Sequence, residues 1–128
     1  MTPTIRDAKM GDGAAILRFI RDLAAYEKLA DAAVASVADI DRALFCTNPK
    51  AFALIAEWDG EPCGFALYFF NFSTFLGKHG VYLEDLFVPE IHRGKGIARQ
   101  LIHGFRELAA KRGLDGVIAP VRPSEKWR

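Results

Sequence analysis

Two adjacent carboxylates, followed shortly by a basic loop with two glycines, offer the most distinctive chemistry in this sequence. Glu84 and Asp85 lie inside the otherwise apolar run 81–88, which Pro89 ends. Arg-Gly-Lys-Gly follows at 93–96, and the residues after it have the spacing of an amphipathic helix. The first N–H groups of a helix lack intrahelical partners and lie at the positive end of its dipole, so such a loop favours a phosphate or diphosphate.

Glycine and positive charge both concentrate at this predicted helix start. Gly94 and Gly96 would let a ligand approach the main chain without meeting a Cβ. Arg93, Lys95 and Arg99 add positive charge around the same point. We therefore expect local anion binding here, although the net charge of the chain is only +1.

Three nucleotide-binding motifs compete for this loop. A Walker P-loop needs Ser or Thr after its lysine, and Gly96 stands there instead. A dinucleotide GxGxxG motif needs a third glycine where Arg99 stands, but Asp115 has the spacing of a ribose-binding carboxylate, so a nicotinamide dinucleotide enzyme stays open. The third pattern, Arg-x-x-Gly-x-Ala, is met at 93–98.

Length and composition limit the remaining possibilities. The 128 residues, 51% hydrophobic and 26% charged, predict one soluble globular domain. A net charge of +1 gives no reason to expect nucleic acid or a membrane surface as a partner, and the apolar runs are too short to span a bilayer. Cys46 and Cys63 are too few for a disulfide scaffold and lack zinc-site spacing, so we expect reduced, buried thiols, no metal and a cytoplasmic protein.

The surrounding elements predict an α/β (α+β) domain with a mixed sheet. Asp12 is expected to cap the start of a helix, Ser36 and Asp39 to form a capping box, and Asp59-Gly60 to form a hairpin turn. The predicted elements in chain order are a strand at 4–9, a helix at 13–28, a helix from 36 that ends at 47–49, strands at 51–58 and 63–70, a loop at 71–80, a strand at 81–88, a helix from Gly94 or Gly96 to 112 ended by Gly113, and a strand at 114–119.

At these motifs the sequence resembles the GNAT superfamily of N-acetyltransferases, and within it the spermidine/spermine (diamine) and thialysine branch. The family's Gln/Arg-x-x-Gly-x-Gly/Ala loop corresponds to 93–98, and the branch's Tyr-Leu-Glu-Asp strand corresponds to 82–88. Leu-Ala-Ala-Tyr-Glu at 23–27 and Gly-Phe-Ala-Leu-Tyr-Phe-Phe at 64–70 also look like that branch. The resemblance covers roughly residues 4 to 113, and it implies a mostly antiparallel sheet flanked by helices.

The resemblance also implies an activity. It is the transfer of acetyl from acetyl-CoA to a primary amine of a small cationic molecule, a polyamine or a lysine analogue, by direct attack in a ternary complex, and the enzyme is expected to be a homodimer. Glu84 is the expected general base, and we expect desolvation in its apolar strand to raise its pKa. Tyr26, Glu27 and Asp85 are expected to bind the amine. The residues expected to bind acetyl-CoA are Phe87, Val88, Arg93, Gly94, Lys95, Gly96, Ile97, Ala98 and Arg99.

One geometric condition follows for the two carboxylates. Neighbouring side chains of a regular strand point to opposite faces, so Glu84 and Asp85 can line one cleft only if the strand is bulged or the sheet splays there. The family has such a bulge, and a main-chain N–H that it frees can donate to the thioester oxygen.

The family pattern is not met near the carboxyl end. A segment whose tyrosine usually protonates the leaving thiolate, and the strands after it, have no counterpart beyond about residue 116. We therefore expect a single domain over 1–128 that is incomplete after that point. The alternative function is a catalytically impaired CoA-binding remnant that acts as a ligand-binding or oligomeric module.

Overall fold

Three α-helices and four strands make up residues 2–114, the part of the chain that the structure, a computed structural model, describes. In chain order they are β1 (Thr4–Asp7), α1 (Gly13–Tyr26), a 3-10 turn (Ala30–Ala32), α2 (Val37–Leu44), β2 (Phe52–Trp58), β3 (Glu61–Ser73), β4 (Lys78–Phe87), a second 3-10 turn (Glu90–His92) and α3 (Ile97–Lys111). The described strands form one antiparallel sheet in the order β1-β2-β3-β4.

Helices cover both faces of this sheet. Ala53 and Ile55 of β2 lie in an apolar cluster with α1 and α2, whereas Leu54 and Ala56 lie in a second cluster with α3. This alternation is the period of two that a strand buried on both faces requires. The predicted class, a sheet flanked by helices, is confirmed.

The first helix begins where the sequence predicts and ends two residues earlier. Asp12 occupies the position before α1, but its side chain does not cap the helix. It accepts two hydrogen bonds from the Arg6 guanidinium, at 2.7 and 2.9 Å, and one from the Lys9 main-chain N–H at 2.7 Å. The bond from Arg6 holds the pKa of Asp12 below its usual value. Asp12 therefore joins β1 to the start of α1, and β1 is shorter than the predicted strand at 4–9.

The second helix has the predicted capping box. The Asp39 main-chain N–H donates to Ser36 Oγ at 3.2 Å, and the Ser36 N–H donates to Asp39 Oδ2 at 2.9 Å. Ile40 and Leu44 are buried on the inner side of α2. The helix ends at Leu44, before the predicted breaker at 47–49.

The β2–β3 hairpin has a two-residue loop, 59–60, and the β3–β4 hairpin has a four-residue loop, 74–77. Asp59 and Gly60 have φ angles of 55° and 80°, the conformation of a type I′ turn, which confirms the predicted hairpin. The predicted loop at 71–80 is wrong, because the β3–β4 ladder continues through Asn71–Gly80 to Ser73–Lys78. Cross-strand pairing extends both strands beyond the apolar runs from which their ends were predicted.

The last described helix also agrees with the sequence. Gly113, with φ of 68°, follows α3 as expected of a helix-terminating glycine. The predicted strand at 114–119 lies outside the described residues except for Leu114, so that strand and the extent of the domain over 1–128 stay predictions. Within residues 2–114, no helix has the length and apolar character needed to cross a membrane.

Candidate active site

The strand β4 carries a bulge at Glu84. Leu67 of β3 pairs with Asp85, and the next residue, Tyr68, pairs with Leu83. One residue of β4, Glu84, is therefore additional to the ladder. This is the irregularity that the two adjacent carboxylates require.

The bulge changes which face each residue of β4 occupies. Before it, Val81 and Leu83 belong to the apolar cluster on the α3 side, and after it Leu86 and Val88 belong to that cluster. Odd-numbered residues face α3 before the bulge and even-numbered residues face α3 after it. Residues 84–85 therefore both fall on the α1 side.

A cavity of about 190 Å³ lies on that side of the sheet. Glu84 and Asp85 line it together with Glu27, the residue after α1, so three of the predicted site residues are brought together. Asp85 is 9% exposed and Glu27 is half-buried. The other lining residues are Ile20, Leu23, Ala24, Leu29, Ala32 and Ala33. An apolar wall with three carboxylates fits a small cation that has an aliphatic chain.

Part of this wall was not anticipated from the sequence. Leu29, Ala32 and Ala33 belong to the segment around the first 3-10 turn, for which no role was predicted. Lys28, with φ of 61°, adopts the left-handed conformation directly after α1. The chain reverses at Lys28, and Leu29, Ala32 and Ala33 after it line the cavity. No sequence pattern predicts a positive φ at a lysine.

Glu84 is exposed, unlike the expectation from its apolar strand. The bulge turns its side chain to the solvent side of the cavity. The expectation that Glu84 is desolvated is therefore wrong, and desolvation cannot be the reason for Glu84 to act as a base.

Tyr26 stands beside the cavity rather than in its wall. Its side chain is 46% exposed, and its ring lies under the guanidinium of Arg93, with 4.9 Å between the guanidinium carbon and the ring centroid. Of the residues expected to bind the amine, the structure brings Glu27 and Asp85 together and gives Tyr26 a different neighbour.

The start of α3 presents main-chain N–H groups to open space. Gly94 and Gly96 have φ angles of 85° and 76°, and a Cβ built on either would have no described atom within 4 Å apart from the glycine itself and its chain neighbours. The first intrahelical bond runs from the Gln100 N–H to the Gly96 carbonyl at 3.1 Å, and no side chain of the described residues caps the helix. The N–H groups of 96–99 precede that bond, so they are the donors that a helix start offers to an anion.

Two of the three basic side chains near this loop contact the protein. Arg93 Nε donates to the Val88 carbonyl oxygen at 3.0 Å. Lys95 Nζ lies 4.7 Å from the centroid of the Trp58 ring and 3.2 Å from His92 Nδ1. Burial and the nearby Lys95 charge lower the pKa of His92, which favours the neutral ring that can accept this bond.

Arg99 has a different position from Arg93 and Lys95. It lies in the first turn of α3 and is exposed. Its charge is therefore open to a ligand at the N-terminal end of the helix. Ile97 and Ala98, also expected at the cofactor site, have buried side chains, so only their main chain can serve a ligand there.

Gly64 allows β3, β4 and α3 to meet beside this loop. A Cβ on Gly64 would lie 3.0 Å from the Phe87 carbonyl oxygen, 3.2 Å from Val88 Cγ2 and 3.3 Å from Ile97 Cγ2. The Phe87 carbonyl thus lies against Gly64, and the Val88 carbonyl accepts from Arg93. The main chain at the end of β4 is held closely on the side of β3.

The two cysteines differ in environment. Cys63 is buried, and burial raises the pKa of its thiol, which disfavours a nucleophilic thiolate. Cys46 is exposed, so the expectation that both thiols are buried is wrong for it. Within the described residues, no cluster of His, Cys, Asp and Glu has an arrangement that would hold a metal ion.

Comparison with known proteins shows the family of this chain. The family model described as "Acetyltransferase (GNAT) family" matches residues 19–126. Thialysine N-epsilon-acetyltransferase from Sus scrofa is 41% identical over 117 residues, which cover 85% of this chain and 68% of that protein. Spermidine/spermine N(1)-acetyltransferase-like protein 1 from Homo sapiens is 37% identical over 112 residues, covering 82% of this chain and 16% of that protein.

A solved structure shows the same fold at lower identity. The ribosomal-protein-alanine N-acetyltransferase from Brucella melitensis biovar Abortus 2308 superposes with a TM-score of 0.76 at 22% identity, covering 100% of this chain and 86% of that one.

The chain therefore belongs to the GNAT acetyltransferase family. It is an enzyme of acetyl transfer, and its named relatives come from the branch that its Tyr-Leu-Glu-Asp strand and Arg-Gly-x-Gly loop indicated. Acetyl-CoA is the co-substrate of this family.

Proposed function

We propose that this chain transfers acetyl from acetyl-CoA to a primary amine of a small cationic molecule, a polyamine or a lysine analogue, by direct attack in a ternary complex. One observation carries the proposal. The bulge at Glu84 sets two carboxylates beside Glu27 in a cavity with an apolar wall. The names of the relatives from Sus scrofa and Homo sapiens support the same substrate class.

The carboxylates have two tasks. An alkyl amine with a pKa of about 10.4 arrives protonated at neutral pH. Asp85 and Glu27 attract and orient the ammonium group, and Glu84, at the exposed side of the cavity, accepts its proton and passes it to water. The neutral nitrogen can then form a bond to an acyl carbon.

Bound acetyl-CoA would supply a thioester whose C–S bond breaks as the new C–N bond forms. The nitrogen then gives up a further proton to solvent as it becomes an amide, and the sulfur leaves as a thiolate that takes a proton from solvent. A main-chain N–H released by the bulge in β4 can donate to the carbonyl oxygen on which negative charge develops. Such a donor is aligned before the reaction, because the sheet holds the bulge in place.

The diphosphate of the co-substrate is proposed to lie at the start of α3. The open space over Gly94 and Gly96 and the N–H groups of 96–99 fit that group. Arg99 and Lys95 add charge there, and the main chain of Phe87 and Val88 is proposed to contact the pantetheine arm.

We propose further that two copies of the chain associate and that the protein acts in the cytoplasm. The tip of the β3–β4 hairpin exposes Phe72, Phe75 and Leu76, with Phe75 99% exposed, which supports an association surface. Analytical ultracentrifugation tests the proposed association of two copies. A dimer that Phe75→Ser weakens supports it, and a monomer at all concentrations contradicts it.

Release of the CoA thiol, followed with a chromogenic thiol reagent, tests the activity. Diamines and lysine analogues are expected to give saturable release, and the same compounds with both amines acetylated serve as the control. No release with any amine, together with micromolar CoA binding by calorimetry, would instead support a CoA-binding module without catalysis.

A further inference from the structure

Arg93 contacts the ends of two elements beside the site, α1 and β4. Its guanidinium carbon lies 4.9 Å from the centroid of the Tyr26 ring and 5.9 Å from that of the Phe87 ring. Its Nε donates to the Val88 carbonyl at 3.0 Å. Tyr26 is the last residue of α1 and Phe87 the last residue of β4. Arg93 therefore links the ends of the two elements that carry the carboxylates of the cavity.

The cavity lined by Glu27, Glu84 and Asp85 is called the amine pocket below. We infer that Arg93 is a positioning residue for the amine pocket and not a ligand of the diphosphate, an inference that rests on the proposed function. A guanidinium that stacks on aromatic rings and is oriented through Nε has a defined plane, which a lysine ammonium cannot reproduce. Glu27 directly follows Tyr26, and Asp85 precedes Phe87 by two residues. A shift between the two ring-bearing ends therefore changes the separation of these carboxylates.

The neighbouring basic residues make a useful contrast. Arg99 is exposed and lies in the first turn of α3. Arg93 carries the same charge six positions earlier but is only partly exposed and is directed at Tyr26. The two arginines are therefore expected to have different functions. Arg99 binds the diphosphate, and Arg93 positions the residues of the amine pocket.

A double-mutant cycle between Arg93 and Tyr26 tests this inference. Arg93→Met and Tyr26→Leu are each expected to raise the amine KM about tenfold, and the double variant is expected to raise it about tenfold rather than a hundredfold, because both changes break one contact. Tyr26→Phe keeps the ring, so in that background Arg93→Met should retain its full effect. Arg93→Lys keeps the charge, should fold more readily, and should still raise the amine KM.

CoA affinity, measured by calorimetry, supplies the control. Each Arg93 variant should bind CoA within about twofold of the parent, whereas Arg99→Gln should weaken CoA about tenfold, the loss of one charge-assisted contact, and leave the amine KM unaltered. An Arg93→Met variant that loses CoA tenfold with an unaltered amine KM would make Arg93 a diphosphate ligand and overturn the inference. Additive effects in the double variant would overturn it as well.

The contact between Arg93 and Tyr26 can be tested separately from acetyl transfer. If the parent chain turns over no amine, the proposed function is wrong, and the same cycle is then measured as the midpoint of thermal unfolding. A double variant that loses no more than the larger single loss supports the contact between Arg93 and Tyr26, and a loss equal to the sum overturns it.

Discussion

Gly96 and Gly113 lie at opposite ends of α3, and both have a positive φ. Comparing Gly96→Ala with Gly113→Ala therefore distinguishes an effect on ligand binding from an effect of backbone strain. Their φ angles are 76° and 68°, and a Cβ added at either would have no described atom within 4 Å apart from the glycine itself and its chain neighbours. At a rise of about 1.5 Å per residue, the 17 residues from Gly96 to Gly113 correspond to a separation of roughly 25 Å. Only Gly96 belongs to the loop proposed to hold the diphosphate.

The expected magnitudes follow from this geometry. A left-handed conformation costs an L-residue about 1–2 kcal/mol, so Gly96→Ala and Gly113→Ala should lower the free energy of unfolding by similar amounts. The Cβ on Gly96 would also project into the space over the loop and keep an anion from at least one N–H. Losing one hydrogen bond to a charged group costs about 1.5–3 kcal/mol, which is about 10- to 150-fold in the dissociation constant for CoA.

Urea unfolding and calorimetric titration with CoA measure the two effects. Gly113→Ala should lose stability and bind CoA within about twofold of the parent, because its Cβ is remote from the loop. Equal loss of CoA affinity in both variants would assign the effect to strain. Unaltered binding by Gly96→Ala would refute the proposed position of the diphosphate.

Three further outcomes are expected from single substitutions. Glu84→Gln should lower kcat about 10²- to 10⁴-fold and remove the acid limb of the pH–rate profile while CoA binding persists, whereas the exposed Glu61→Gln should do neither. Asp12→Asn should cost about 2–4 kcal/mol at pH 7 in urea unfolding, since it breaks the partly buried pair with Arg6. Because that pair lowers the pKa of Asp12, the parent should lose this advantage as pH falls below the usual 3.8. Burial raises the pKa of Tyr68 to about 12, so folding stability should decline between pH 10 and 12, and Tyr68→Phe should show less of this decline in unfolding followed by circular dichroism.

Local sequence signals predicted most elements of the fold. Asp59-Gly60 specifies its turn through residues that tolerate positive φ, and Ser36 with Asp39 specifies a helix start through two hydrogen bonds between near neighbours. The extension of the sheet through 71–80 was missed, because it depends on pairing between two strands rather than on the residues of either.

The site was predictable in its residues but less so in its geometry. The adjacency of Glu84 and Asp85 required a bulge, and the structure has one, but the exposure of Glu84 depends on how the bulge rotates it. The positions of the Arg93 and Lys95 side chains depend on contacts with Tyr26 and Trp58, which are distant in sequence. No local pattern encodes such long-range contacts.

A crystal structure of the chain with CoA would show where the diphosphate and the thiol of the co-substrate lie. We expect diphosphate oxygens within hydrogen-bonding distance of the N–H groups of 96–99, and the thiol beside the cavity lined by Glu27, Glu84 and Asp85. CoA bound elsewhere, with its thiol remote from that cavity, would contradict the proposed acetyl transfer at this site.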